Sequence, residues 1–237
     1  MSTKLNNFTW GWMDEETNGS VNGIPLGEYH KNSMISEIFD NKIYEKIWEV
    51  KKGDIVLDIG ASVGPFSYSI LDKKPKHIYC LEPSNNEFQT LQTNLDKFDN
   101  ITLIKKGISY IDDTTNSNML FGGENEFIGI KFSTFIKNNN LDYIDFIKTD
   151  CEGAEYYIFI DENIDYLLNN VGCIVGEWHL GNEKEKVEFR YFRDKYLSQF
   201  KNVQIMSVDG VNCTWDLYNE HFLEYYNQVM IYISNKY

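Results

Sequence analysis

Apolar residues along the chain follow two alternating spacings. Short apolar runs, typical of strands buried on both faces, alternate with segments whose apolar residues recur three or four positions apart, as in amphipathic helices. The runs predict strands near residues 54–59, 77–82, 101–105, 144–149, 171–178, 203–208 and 228–234. The spaced segments predict helices near residues 64–72, 85–97, 153–169, 183–199 and 217–226. This alternation predicts an α/β fold, a doubly wound parallel sheet with helices on both faces.

The first 32 residues differ from the rest of the chain. Residues 1–32 are polar and rich in turn formers, with aromatic residues scattered without periodicity, and are predicted to form an N-terminal arm or lid. Helical spacing begins at Ser33, and residues 33–237 are predicted to form one domain, since 237 residues suit a single large domain. Within it, residues 116–133 are predicted to be an inserted hairpin turning at Gly122-Gly123.

Charge and composition narrow the choice of partners and compartment. Twenty-two basic and 36 acidic residues give a net charge of −14, which repels phosphate-rich partners. We therefore expect no nucleic-acid or membrane partner and a small-molecule or saccharide acceptor. The chain has no apolar stretch of about 18 residues and no basic-then-apolar start typical of a secretory signal, which predicts a cytoplasmic protein. Oligomeric state cannot be predicted.

The four cysteines are predicted to be reduced thiols. Cys80, Cys151, Cys173 and Cys213 form no C-x-x-C pair, so neither zinc binding nor thioredoxin-like chemistry is predicted. Cys80 and Cys173 lie in apolar runs, where a reduced thiol behaves as a small hydrophobic group.

A glycine turn follows the first predicted strand. Gly60 and Gly64 permit a sharp bend and a close approach of the backbone to a ligand. The dinucleotide fingerprint G-x-G-x-x-G is not met, because Ser62 and Pro65 occupy its second and third glycine positions. Asp58, just before the turn, would disfavour a pyrophosphate but tolerate a cationic aminoacyl group. The turn therefore favours S-adenosylmethionine over NAD.

The end of the second predicted strand supplies a second nucleoside contact. Glu82 lies 24 residues after Asp58, where doubly wound folds place the carboxylate that binds a ribose hydroxyl pair. Ser84 and Glu87 have the spacing of a capping box, which predicts that a helix begins after Ser84.

The segment Tyr143–Glu155 carries the densest group of acids. Asp150 follows a predicted buried strand, and ligands of open α/β sheets bind outside such strand ends. Gly153 permits a tight turn into the next helix. Glu152 is a candidate site residue, whereas Glu155 is expected to be a first-turn acid that complements the helix dipole.

These segments resemble the FkbM family of class I S-adenosylmethionine-dependent methyltransferases. The matching words are Val56-Leu-Asp-Ile-Gly-Ala-Ser-Val-Gly64, Leu81-Glu-Pro-Ser84 and Phe146-Ile-Lys-Thr-Asp-Cys-Glu-Gly-Ala-Glu155. The resemblance covers roughly residues 35–180, and Ser133-Thr-Phe-Ile136 departs from it where the family usually has a Leu-Asp pair. It implies a Rossmann-like, seven-stranded, mostly parallel sheet with an antiparallel last strand. It also implies methylation of a hydroxyl on a sugar, glycan or small natural product.

The resemblance also implies which residues hold S-adenosylmethionine. The turn would contact the methionyl part, Glu82 the ribose, and the residues after the second and third strands the adenine. The implied cofactor contacts are Asp58, Gly60, Ala61, Ser62, Gly64, Phe66, Glu82, Pro83, Ser84, Gly107, Ile108, Ser109 and Asp150.

A hydroxyl acceptor needs a base, because an alcohol is a poor nucleophile at neutral pH. His179, at the end of the fifth predicted strand, is the leading candidate, with Asp150 and Glu152 as further catalytic candidates. We predict a metal-free site; the alternative is Mg²⁺ held by Asp150, Glu152, Glu177 and His179. Two other functions stay open, namely a non-catalytic nucleoside-binding protein on the same fold and an NAD-dependent oxidoreductase.

Overall fold

The computed structural model describes Leu5 and residues 7–15, 19–117, 126–219 and 221–236. Its centre is a seven-stranded sheet. The strands, in chain order, are β1 (Ile55–Ile59), β2 (His77–Leu81), β3 (Ile101–Ile104), β4 (Ile144–Thr149), β5 (Val171–His179), β6 (Asn202–Ser207) and β7 (Gln228–Ser234). They lie in the order β6-β7-β5-β4-β1-β2-β3.

The pairing of these strands fixes the fold class. Strands β5, β4, β1, β2 and β3 run parallel, whereas β7 is antiparallel to both of its neighbours, β5 and β6. The order reverses between β1 and β4, and there Asp58 lies opposite Lys148. The predicted doubly wound, seven-stranded, mostly parallel sheet with an antiparallel last strand is confirmed.

Helices cover the sheet and connect its strands. The α-helices are Trp12–Glu15, Leu26–Met34, Pro65–Ser69, Asn85–Leu95, Phe132–Asn138, Ile164–Asn170, Glu183–Lys195 and Phe222–Tyr225. Single-turn 3₁₀ segments are Ile43–Glu45, Leu71–Lys73, Ala154–Tyr157, Leu197–Gln199 and Thr214–Asp216, and Ile35–Asp40 is a π-helix. The helix Leu26–Met34 spans the domain boundary predicted at residue 32.

Small strands lie outside the main sheet. Ser20–Val21 pairs antiparallel with Ile24–Pro25. Glu126–Ile130 pairs parallel with Gly107–Ile108 and antiparallel with Thr115–Ser117. The turn of the predicted hairpin, at Gly122-Gly123, lies outside the described residues.

Several predicted helices differ in the structure; the one predicted for residues 217–226, for example, is the single turn Phe222–Tyr225. The helix predicted for residues 153–169 is a 3₁₀ turn followed by a separate helix, because the side-chain amide of Asn163 donates a 2.9 Å hydrogen bond to the Ile158 carbonyl and ends the first turn. The Ser84 hydroxyl accepts from the Glu87 amide as predicted, but the Glu87 carboxylate accepts from the Ser62 hydroxyl, so the capping box is incomplete. A complete capping box occurs instead at Asn182.

The core is built on both faces of the sheet. In β7, Val229, Ile231 and Ile233 pack into one apolar cluster, and Met230 and Tyr232 pack into another, as the alternation of side chains along a strand requires. All four cysteines are unpaired. None of the helices in the described part of the chain has the length and apolar character needed to span a bilayer.

Candidate active site

The carboxyl ends of β1, β2, β4 and β5 meet at the point where the strand order reverses. In open α/β sheets the ligand crevice lies outside these ends, where the connections diverge to opposite faces. The chain places the glycine turn after β1, Glu82 after β2, Asp150 and Glu152 after β4, and His179 at the end of β5.

The glycines of the turn are required by packing as well as by backbone conformation. Gly60 has φ of 74°, and a Cβ there would lie 1.8 Å from the Asp150 carbonyl oxygen. Gly64 has φ of 90°, and a Cβ would lie 2.8 Å from Cδ1 of both Leu91 and Leu95. The fold alone therefore requires both glycines, and a ligand need not be invoked to explain them.

Glu82 is the link between the turn and the second strand. Its carboxylate accepts 2.8 Å hydrogen bonds from the amides of Ser62 and Ser84. Burial raises the pKa of Glu82 to about 8 and repulsion by Glu87 adds to this, while the two amides and Lys148 oppose the rise. A buried carboxylate thus lies between the glycine turn and the start of the next helix, with lone pairs left for further donors.

The predicted adenine wall lies beside the same strand end. A Cβ on Gly107 would lie 3.3 Å from the Pro83 side chain and 2.6 Å from the Phe127 ring. Ile108 is buried, and the Ser109 hydroxyl donates to the Ile111 carbonyl at 2.6 Å. The structure therefore brings the segments after β2 and β3 together.

Three predicted cofactor contacts have side chains beneath the turn. Asp58 is fully buried, accepts a 2.7 Å hydrogen bond from the Ser67 hydroxyl and faces Lys148. The Phe66 ring stacks on Phe146, with 6.0 Å between ring centroids, and Ala61 is buried. These three side chains pack in the interior, so only their backbone atoms or indirect effects are available to a ligand.

Asp150 is held from the N-terminal part of the chain. Its Oδ2 accepts a 2.7 Å hydrogen bond from the Tyr44 hydroxyl, and its amide donates to the Ile59 carbonyl at 3.0 Å. The carboxylate is therefore fixed next to the glycine turn.

Glu152 and His179 form a pair at the ends of β4 and β5. His179 Nε2 lies 3.2 Å from Glu152 Oε2 and 3.9 Å from Glu177 Oε1. Burial, followed by the charge of Asp150, raises the pKa of Glu152 to about 9 and that of Glu177 to about 8. Glu152 therefore keeps its proton at neutral pH, and His179 Nε2 is the candidate proton acceptor of the pair.

Glu155 supports the turn rather than the open site. It is fully buried and accepts hydrogen bonds from the amides of Cys151, at 2.6 Å, and Gly153, at 2.8 Å. This arrangement satisfies amides at the start of the Ala154–Tyr157 turn, as expected for an acid in that position.

One group of candidate metal ligands occurs among the described residues. Ligand atoms of Asp150, Glu155 and His179 lie within 4.8 Å of one another, a different set from that named in the Mg²⁺ alternative. His179 Nδ1 is enclosed and has no hydrogen-bond partner within the described part of the chain. Mg²⁺ prefers oxygen ligands, so the imidazole makes this set a poorer match for it. The metal-free site stays a prediction.

Three residues of the site were not predicted from the sequence. Tyr44 and Glu37 come from the segment before β1, and the charge of Asp150 contributes to raising the pKa of Glu37 after burial. No local pattern places them near residue 150. Lys148 could have been identified from the sequence, because it interrupts the apolar run of a predicted buried strand and a buried charge requires a partner.

Comparison with known proteins gives partial matches. No family model matches the chain, so the resemblance to the FkbM family stays a prediction. "Ribosomal RNA small subunit methyltransferase A" from two Clostridium botulinum strains (ATCC 19397 / Type A and Langeland / NCTC 10281 / Type F) is 31% identical over 88 residues, 36% of this chain and 32% of each relative. The match thus spans about one third of these curated relatives.

Solved structures with similar sheets have low sequence identity. A candidate rRNA methylase from Clostridium thermocellum has a TM-score of 0.47 and 13% identity, covering 88% of this chain and 96% of that one. Aeropyrum pernix fibrillarin with natively bound S-adenosyl-L-methionine has a TM-score of 0.45 and 15% identity, covering 79% and 69%. A candidate methyltransferase from Streptococcus mutans in complex with SAH has a TM-score of 0.45 and 14% identity, covering 78% and 90%.

These comparisons correct one expectation. The prediction of a small-molecule or saccharide acceptor with no nucleic-acid partner is contradicted, because the curated relatives are named as ribosomal RNA methyltransferases. Net charge is a sum over the whole chain and does not report the field at one surface, so a charge of −14 was not a sound basis for that exclusion.

Proposed function

We propose that this protein is an S-adenosylmethionine-dependent methyltransferase that methylates a hydroxyl, with RNA as the acceptor class. The convergence of four strand ends at the topological switch point carries the proposal. There a buried carboxylate, Glu82, lies across the glycine turn from the Glu152–His179 pair. The names of the curated relatives support RNA as the acceptor, and the presence of His179 as a candidate base supports a hydroxyl as the methylated group.

The residues present suit this cofactor. Glu82 has lone pairs free for a ribose hydroxyl pair, and Asp150 offers a carboxylate to a cationic amine. The turn lacks the second and third glycines that a pyrophosphate requires, which favours an adenosyl ligand over NAD. S-adenosylmethionine would supply an electrophilic methyl group that needs no activation by the protein.

The role of the chain is then orientation and proton removal. Glu82 and Asp150 orient the cofactor, and correct alignment of reactants can lower a barrier by several of the roughly 7–11 kcal/mol available to ideal positioning. His179 Nε2 accepts the hydroxyl proton, and the Glu152 carboxyl, 3.2 Å away, orients the imidazole. A base in such a position contributes about 10²–10⁴-fold to the rate.

Calorimetry and a labelled-methyl assay test the proposal. S-adenosylhomocysteine should bind and NAD should not; binding of NAD alone would instead support the oxidoreductase alternative. Methyl transfer to total RNA, with Mg²⁺ present to screen phosphate repulsion, should vanish after ribonuclease treatment. Digestion of the product to nucleosides then shows whether the ribose or the base is methylated. Cofactor binding without transfer to any RNA would support a non-catalytic role.

A further inference from the structure

Lys148 is a charged residue in the middle of the sheet. It lies in β4, next to Asp58 of β1, and is only 4% exposed. A buried ammonium is costly unless it is paired and hydrogen-bonded. The groups around the Lys148 ammonium therefore indicate why a charge is kept at this position.

The Lys148 ammonium faces the glycine turn. Nζ donates a 2.6 Å hydrogen bond to the Gly60 carbonyl, lies 3.5 Å from the Ile59 carbonyl and lies 3.3 Å from Asp58 Oδ1. Asp58 Oδ1 has no hydrogen-bond partner among the described residues, so Lys148 supplies its counter-charge. Burial lowers the pKa of Lys148, but the charges of Asp58 and Asp150 outweigh this and the pKa is raised. Lys148 therefore stays charged and is not a proton acceptor.

Two connections lead from Lys148 to the candidate site. The first runs along the turn, from the Gly60 carbonyl to the Ser62 amide, which donates to Glu82. The second runs through Tyr44, whose ring centroid lies 5.2 Å from Nζ and whose hydroxyl donates to Asp150. Lys148 thus contacts the glycine turn that holds Glu82 and the ring of Tyr44, which holds Asp150, the two carboxylates assigned to the cofactor.

We propose that Lys148 is a positioning residue for the adenosyl cofactor, holding the glycine turn and offsetting the charge of Asp58. This rests on the proposed function. Without the ammonium, the Gly60 carbonyl loses its donor, and the buried Asp58 carboxylate would repel the carboxylate of a methionyl ligand. The turn would then present the Ser62 amide and Glu82 less rigidly, and affinity for the cofactor would fall.

Calorimetric titration with S-adenosylhomocysteine tests this role. Lys148→Met should weaken binding at least tenfold. Lys236→Met is the matched control, since Lys236 pairs with Asp145 on the same strand at 2.7 Å but near its opposite end. The control should bind as the wild type does, and equal weakening in both variants would overturn the proposal.

The double variant Lys148→Met/Asp58→Asn separates positioning from simple stabilisation. Removal of both members of a buried pair is often neutral for stability, so this variant should fold even where the single variant does not. If Lys148 positions the Gly60 carbonyl, the double variant recovers thermal stability but still binds at least tenfold more weakly. Wild-type affinity in any folded variant that lacks the ammonium overturns the proposal. A wild-type protein that binds no adenosyl ligand overturns the proposed function as well, which distinguishes the two failures.

Discussion

The Tyr44 hydroxyl donates a 2.7 Å hydrogen bond to the Asp150 carboxylate, joining two residues 106 positions apart. Burial and the charge of Asp150 raise the pKa of Tyr44 well above its usual value, so the hydroxyl remains protonated and keeps donating. The bond ties the segment before β1 to the end of β4. The predicted N-terminal arm, residues 1–32, is therefore followed by a segment that contributes directly to the candidate site.

Tyr44→Phe should remove this bond while keeping the ring against Phe66, where the centroids lie 5.5 Å apart. We expect a loss of about 0.5–1.5 kcal/mol in the free energy of unfolding, measured by chemical denaturation. We also expect weaker binding of S-adenosylmethionine, because Asp150 is no longer held next to the turn.

Tyr232→Phe is the matched control for that change. The Tyr232 hydroxyl donates at 2.6 Å to the Ile43 carbonyl in the same segment but not to Asp150. It should lower stability by a similar amount and leave cofactor affinity unchanged. Equal loss of affinity in the two variants would show that the segment matters only for stability.

Glu82→Gln tests the ribose contact. The amide side chain keeps the size of the carboxylate but directs an NH₂ group at one of the two backbone donors, Ser62 or Ser84. We expect at least a tenfold loss of affinity for S-adenosylhomocysteine by calorimetry. Glu183→Gln, at a side chain 81% exposed, should leave affinity within about twofold; unchanged affinity in Glu82→Gln would reject the ribose role.

Much of the fold could be predicted because its signals are local. The apolar runs of β1, β4 and β7 mark strands buried on both faces, and their observed bounds differ from the predicted ones by a residue at most at each end. The helix predicted for residues 153–169 failed because its apolar spacing continues across a break made by the Asn163 side chain. A side-chain bond to a carbonyl leaves no periodic signal.

In the candidate site, only the residues at the carboxyl ends of the strands could be predicted from the sequence. Parallel strands bring their carboxyl ends to one edge, so the proximity of Glu152 and His179 followed from the fold. Tyr44 reaches Asp150 through tertiary packing, which no spacing in the sequence encodes. The glycine turn carried less functional information than its pattern indicates, because contact of Gly60 with the Asp150 backbone already requires glycine.

His179→Ala and Glu152→Gln test the proton acceptor. Each should lower the rate of methyl transfer by about 10²-fold or more, with little change in cofactor affinity, because the base acts on the acceptor. His221→Ala is the control, since His221 lies on the surface and pairs with Glu224 at 2.9 Å. Wild-type turnover in His179→Ala would remove this residue as the base.

The stability of the ligand-free protein should fall as pH rises. The pKa values of Glu82 and Glu177 are raised to about 8 and that of Glu152 to about 9, against an ordinary value of 4.5. Between pH 4.5 and the raised pKa values, these carboxyls are protonated in the folded state and ionised in the unfolded state. The free energy of unfolding therefore decreases by up to about 1.4 kcal/mol per pH unit for each such carboxyl. Chemical denaturation between about pH 5 and pH 9 measures this slope.

Glu177→Gln should flatten that slope, because it removes one of the carboxyls whose pKa is raised in the folded state. Glu183→Gln, at a side chain 81% exposed, should leave the slope as in the wild type. A wild-type stability that rises or stays constant over this range would contradict the raised pKa values.

Binding of S-adenosylmethionine should strengthen as pH rises over the same range, because its positive charges favour the ionised carboxylates. Calorimetry in two buffers of different ionisation enthalpy should then register proton release on binding.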